Sequence, residues 1–290
     1  MMKNIDTSNF IMRKPGFFYF IFCFLLITIS LSLRGQVLDC ATLVTQNQVN
    51  LEDTFTTTLN NITELDRTFH CSFHVVKDAE GAIGIDPNDI QLTLNEASQV
   101  FERISVTFKT SKVYTINNFT YNTLYYDNTD NELVDLSYVN NTINVYLVDK
   151  LYDVEGRVTN SYTFMPGDGK DLIFIQKNSF DAVHFIQLLG HFFNLYHTHE
   201  TVFGDELVDG SNCDAAGDQC CDTEAMPDLS TMVGLDCEYT GTTKDSNGDF
   251  YYPGTHNYMS SAPAACKCYF SDQQYIRMSN AMLKLKSHLW

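Results

Sequence analysis

Basic residues are scarce in this chain. Its 290 residues hold 18 Lys+Arg against 36 Asp+Glu, a formal net charge of −18. No basic stripe runs along it, which excludes the electrostatic footprint of a nucleic-acid binder. Internal repeats and low-complexity tracts are absent too, so a repeat architecture is excluded. What remains is a length that suits one large domain or two small ones, enough to bury a core. The acid excess reads as a solvated surface.

Long hydrophobic runs are equally rare. The one clear case is the charge-free run from Phe17 to Leu33, preceded by Lys3, Arg13 and Lys14 and followed by Arg34-Gly35-Gln36. Positive start, apolar centre and small residue form the layout of a secretory signal, with cleavage expected near Gly35. The run is borderline for crossing a bilayer of ~30 Å. Its interruption by Thr28, Ser30 and Ser32 favours cleavage, and a membrane is a partner only if the signal is retained. Residues 1–36 hold four bases and one acid, leaving 14 bases against 35 acids, a balance of −21.

Export sets the reading of the cysteines. Of nine, Cys23 lies in the signal. The others (Cys40, Cys71, Cys213, Cys220, Cys221, Cys237, Cys266 and Cys268) form an even set, which predicts disulfides rather than catalytic thiols. The sequons at Asn61, Asn118 and Asn140 matter only in a glycosylating host.

Residues 36–68 are polar, rich in Thr and Asn and weakly periodic. They read as a loose N-terminus or a short pro-like segment. From 69 the pattern sharpens. "FHCSFHVV" (69–76) predicts a strand. Asp86-Pro87 opens a helix with Ile90, Leu94, Ala97, Phe101 and Ile104 on one face. Strands follow at 105–116, 143–148 and 171–176, then a helix over about 179–194. After 200 the chain turns rich in Gly, Asp and Cys. Ser271 and Gln274 form a capping box, with Phe270 and Tyr275 as a staple, and start a last helix over 272–286. The expected fold is therefore α/β (α+β): a twisted mixed sheet with helices, then an irregular, disulfide-rich C-terminal part.

Several motifs stand in order: "LLGHFFNLYHTHE" (188–200), "GDQCCDT" (217–223), "CEYTG" (237–241), "DSNGDFYYPGTHNYMSS" (245–261) and "FSDQQYIRM" (270–278). On them, residues 69–285 resemble the pappalysin family of metzincin zinc endopeptidases. The resemblance implies a sheet-and-helix half at 69–197, a Cys-rich half at 198–285, and a tail at 286–290. It also implies a helix reading H-E-x-x-H-x-x-G-x-x-H, whose histidines bind Zn²⁺ and whose glutamate moves the proton of a bound water. Laid on that pattern, His191 and His197 are the second and third zinc ligands. Gln187 stands at the first ligand and Leu188 at the catalytic glutamate. Asn194 stands at the glycine, where a left-handed turn is needed and Asn tolerates it. Met259 falls on the Met-turn, and Ser261 replaces a tyrosine.

Gln187 offers a weak amide oxygen in place of imidazole. Leu188 has no proton acceptor, and losing a general base costs about two to four decades of rate. The resemblance thus implies a degenerate, catalytically inactive homologue in which Zn²⁺ binds weakly or not at all. The alternative is an active zinc endopeptidase with a remodelled site, with His199 or His256 as substitute ligands. His184, two helical turns before His191, reads as a surface or core histidine. Glu200 is the nearest carboxylate after the third histidine. Asp245, Asn247 and Asp249 alternate as hard ligands do for Ca²⁺, although no EF-hand Glu ends the loop. Against the family pattern, Cys213, Cys221, Cys237 and Cys266 fall on usual positions while Cys220 and Cys268 are additions. That suggests a Cys220–Cys268 bridge parallel to Cys221–Cys266 or a similar one, with Cys40 and Cys71 then pairing to tie the N-terminal segment to the first strand. The expected partner is an extended peptide or protein segment, laid along a sheet edge in the cleft. A spacer module without ligand is the third reading.

Overall fold

The computed structural model describes residues 37–52, 55, 59–77, 84–126 and 129–290. The expected signal at 1–35 lies outside them. No helix among the described residues is long and apolar enough to cross a membrane.

The elements in chain order are α1 (Gln46–Glu52), β1 (Arg67–Val76), α2 (Pro87–Val100), β2 (Val106–Ile116), β3 (Thr123–Tyr125), α3 (Thr129–Ser137), β4 (Ile143–Val148), β5 (Lys150–Tyr152), β6 (Val158–Thr159), β7 (Ser161–Thr163), β8 (Leu172–Gln176), α4 (Ala182–Phe192) and α5 (Asp272–Leu285). The main sheet has the order β2-β1-β4-β8-β7. Four strands run parallel, and β7 pairs antiparallel with β8 at the edge. A small sheet, β3-β5-β6, lies apart from it in pairing.

Strands β4 and β8 are buried along their whole length. That is the pattern of parallel strands covered on both faces. Alternation then divides the core. Ile143, Val145, Leu147, Ile173 and Ile175 face the cluster that holds Ile90 and Leu94 of α2, Phe185 and Leu189 of α4, and Met278 of α5. Tyr146, Val148, Leu172 and Phe174 face the opposite cluster, with Leu133 and Val134 of α3. A slip of one residue in β4 would exchange these sets, so the register is fixed by burial on both sides.

The helix ends follow local chemistry. Asp86 caps α2 by accepting from Asn88 N, with Pro87 at the first position. Ser271 and Gln274 close the capping box of α5. The Phe270 and Tyr275 rings meet edge-on at 5.7 Å. Where α4 passes the Met-turn, the backbone needs Gly190: a Cβ there would sit 2.5 Å from Met259 Sδ and 3.3 Å from the Phe270 ring.

Two expectations are overturned here. Residues 37–52 are not loose. Leu38 pairs parallel with Thr159, and Ala41 N donates to Ser161 O at 2.9 Å, so this stretch runs along the β6–β7 edge and leads into α1. The disulfides also differ. The bridges are Cys213–Cys221 and Cys237–Cys266, while Cys40, Cys71, Cys220 and Cys268 are thiols. Neighbouring side chains explain part of this. Cys221 is exposed and bridged to Cys213, whereas Cys220 is buried beside Asp218 and Cys268 is exposed. Cys71 is buried inside β1 as a member of the main core cluster.

Candidate metal centre and cleft

Helix α4 is capped by Asp181, whose carboxylate accepts from His184 N at 2.9 Å. It ends at Phe192. Asn194 then adopts φ 74°, the left-handed turn expected of the glycine position, and Leu195 N returns to Gly190 O at 2.9 Å. This reversal brings His197 back over His191. Their Nε2 atoms stand 3.1 Å apart. Two imidazoles on one zinc at ~2.0–2.1 Å place their nitrogens at about that separation.

The protonation state follows from the partners. His191 Nδ1 lies 2.9 Å from Leu195 O, and a carbonyl only accepts, so Nδ1 carries the proton. Nε2 of the neutral ring then offers its lone pair to the gap. Burial holds His191 down at about 3, and burial together with His191 itself holds His197 well below the ordinary histidine range. Both rings are thus in the neutral form that metals bind.

The third donor comes from the N-terminal segment. Cys40 Sγ joins His191 and His197, with all three donor atoms within 4.8 Å of one another. Burial pushes the Cys40 thiol up. Two imidazoles and a thiolate are donors that zinc takes, so these residues fit a three-ligand site, with the Cys40 proton released on binding.

Gln187 does not join them. Its Oε1 accepts from Lys267 Nζ at 2.8 Å. The Lys267 side chain is 0% exposed and also donates to Asp39 Oδ2 at 3.1 Å. Asp39 Oδ1 lies 2.8 Å from His184 Nε2, and His184 Nδ1 lies 2.9 Å from Asp181 Oδ1. Burial alone would lower His184, but the Asp181 and Asp39 carboxylates outweigh it and push it up to about 9. Burial would raise Asp39, yet His184 and Lys267 hold it far below the usual carboxylate range. Beside the first-ligand position, an ammonium now faces a carboxylate of the chain's own N-terminus.

Leu188 is 0% exposed in the main core cluster, against which Cys40 packs. Of the other sequence candidates, Glu200 accepts from Thr201 N and Val202 N, turned back on its own loop. His256 Nδ1 is held by Cys266 O at 2.7 Å. His199 stacks beside His197 at 5.0 Å between ring centres but is outside the donor group. Ser261 Oγ accepts from Leu229 N at 2.7 Å, directed at the neighbouring loop. Met259 is buried under α4, its carbonyl accepting from Thr198 N at 3.1 Å.

At the expected calcium loop, Asp245 spends its carboxylate on three backbone N–H groups, those of Asn247, Asp249 and Val208. That is the bonding of a turn. A different acid stands out nearby: Glu206 buries Oε2 without a hydrogen-bond partner, and burial, Asp218 and Glu224 push it up to about 8.

The residues missed in the sequence are Asp39, Lys267 and the role of Cys40. The one signal in the sequence is adjacency: Lys267 sits between Cys266 and Cys268, and the cysteines draw the eye from it.

Asn194 gives a first expected outcome. Its side-chain amide is buried with neither Oδ1 nor Nδ2 partnered. An unsatisfied buried group costs about 1–3 kcal/mol, and glycine prefers this φ. Against the extra chain entropy of glycine, Asn194→Gly should raise stability by about 1 kcal/mol in urea unfolding. A loss of stability would show that the amide has a bonding role.

No protein-family model matches the chain, and no curated protein matches its sequence. Solved structures do match its fold. Mature mirolysin of Tannerella forsythia, in complex with a cleaved peptide, matches with a TM-score of 0.53 at 17% identity, over 78% of this chain and 95% of mirolysin. Metalloproteinase-II of Bacteroides fragilis gives a TM-score of 0.36 at 11% identity, over 86% of this chain and 58% of its own. The likeness to mirolysin shows the class of fold: this chain has a metzincin-like metallopeptidase fold, with a mixed sheet, a histidine-bearing helix and a turn carrying Met259 beneath it.

Proposed function

We propose that the chain is a secreted, pappalysin-like metallopeptidase homologue without catalytic activity, which keeps a cleft for an extended peptide or protein segment. The observation that carries the reading is the ion pair at the first-ligand position. Gln187 is bonded to Lys267, and Leu188, which has no proton-accepting group, is sealed in apolar surroundings at the place of the glutamate. Removal of a general base and a ligand together leaves little to activate water.

Cys40, His191 and His197 are the residues that would hold zinc. There it would supply a bond between the N-terminal segment and the helix. One of its three protein ligands, Cys40, would come from the N-terminal segment. Secretion is supported by the n-region and apolar run at 1–35 and by the two bridges.

The purified chain is expected to cleave no member of a broad peptide library, with or without added zinc, and His191→Ala should match it. Cleavage that a chelator abolishes and His191→Ala removes would sink the reading in favour of a remodelled active endopeptidase.

A further inference from the structure

The edge strand β7 and the neighbouring β6 are covered by residues of the same chain. Leu38 N donates to Val158 O at 3.0 Å, Asn160 N to Leu38 O at 2.8 Å, and Thr163 N to Thr42 Oγ1 at 3.1 Å. Ser161 Oγ donates to Asp39 O at 3.1 Å. These contacts are β-augmentation in cis, by a segment running in the same direction as β6 and β7. Main-chain bonds of this kind supply affinity without choosing a sequence. Choice comes from the side chains.

One side chain of the segment is read by charge. Asp39 spans Lys267 Nζ and His184 Nε2, one oxygen to each. Its two partners come from distant parts of the fold: His184 from α4, and Lys267 from the segment before α5. Among the described residues the other partner of Lys267 is Gln187, a neutral amide. If the N-terminal segment leaves, the ammonium loses Asp39, the carboxylate bonded to it. A buried charge that loses its partner is strongly destabilising, so the emptied edge favours any strand that brings a carboxylate to this point. Asn in place of Asp could not answer it. Its amide presents one oxygen and no charge to two cationic donors.

We propose that Lys267 and His184 form a carboxylate-reading pocket in the cleft, filled in cis by Asp39, and in trans by an aspartate of an extended peptide of the pattern apolar–Asp–small lying along β6–β7. This rests on the peptide-cleft reading above and names the ligand class of that cleft. The segment Val37 to Thr42 is itself the template: Leu38 before the aspartate, with Cys40 and Ala41 after it.

The test uses the full chain carrying Asp39→Ala, which removes the cis carboxylate and leaves the pocket. The probes are fluorescein-labelled Val-Leu-Asp-Ser-Ala-Thr and the same peptide with Asn for Asp. The Asp peptide is expected to bind about tenfold or more tighter than the Asn peptide, the gain of a charge-assisted pair. Adding Lys267→Met to the chain should cut the preference for the Asp peptide several-fold, leaving the share owed to His184, while the Asn peptide keeps its affinity.

Equal binding of both peptides to Asp39→Ala overturns the proposal. Binding of neither, with the Asn160 and Thr163 amides exchanging freely, also overturns it, because the pocket is then open and takes nothing. Binding of neither with those amides still protected overturns it as well, because the segment then stays without its carboxylate. Mass spectrometry of the recovered peptide separates this from the reading it rests on: a cut peptide refutes the absence of catalysis and leaves the Asp preference standing or falling by itself.

Discussion

Gln187→His with Leu188→Glu, the pair that rewrites the zinc-peptidase motif, is expected to give a protein that cleaves no peptide and is less stable than its parent by at least about 3 kcal/mol. Leu188 is 0% exposed in the cluster that also holds Phe185, Leu189 and Met259. A carboxyl there must lose its hydration in an apolar cluster, and it remains protonated or unfolds its surroundings. The histidine fares little better. It removes the oxygen that accepts from Lys267 at 2.8 Å and sets an imidazole beside that ammonium. Cys40 and Asp39 would still lie across the site. The check is urea unfolding together with the peptide-library assay. Cleavage by the double variant alone would show that the motif is the whole of the loss, and that Lys267 and the N-terminal segment are bystanders.

That expectation differs from what the motif by itself implies, and the difference shows what was legible. Contacts within one element were readable from the letters. The N-cap of α2 at Asp86, the capping box of α5 and the left-handed turn at Asn194 all depend on residues a few positions apart, and each stands as expected. So does the fully buried character of β4 and β8. Strands as short as β6 and β7 carry too few residues for a period to show, so the edge that the N-terminal segment covers was invisible. The core of the site was invisible for another reason. Asp39, Gln187 and Lys267 meet across sequence separations of 80 and 228, which no spacing rule connects. The even cysteine count misled in the same way. Parity says that thiols can pair, whereas burial decides which do: Cys40 faces two imidazoles, Cys71 is sealed in β1, and Cys220 points inward.

Arg277→Ala is expected to cost about 3–5 kcal/mol and to free residues 37–52 from the cleft. The guanidinium is buried and joins three parts of the molecule. Nη2 meets Glu52 Oε2 at 2.5 Å at the end of α1, and Nε donates to Asn194 O at 2.7 Å in the turn after α4. Its carbon lies 4.7 Å from the centre of the Tyr196 ring, whose hydroxyl also donates to Glu52 at 3.0 Å. Alanine leaves the Glu52 carboxylate without its cation and the Asn194 carbonyl without its donor, so the loss exceeds that of a surface pair. Arg277→Lys keeps the charge but not the fork that bonds two sites at once, and should fall between the parent and the alanine variant. The decisive readout is limited proteolysis beside urea unfolding. If α1 is held through Arg277, cleavage within residues 37–52 should accelerate in Arg277→Ala under conditions where the core of the sheet remains intact. Equal protection of that segment in the parent and the variant would mean that the β6–β7 contacts and Asp39 suffice to hold it. The turn that carries His197 and the segment that carries Cys40 would then be coupled only through the cleft, and not also through α5.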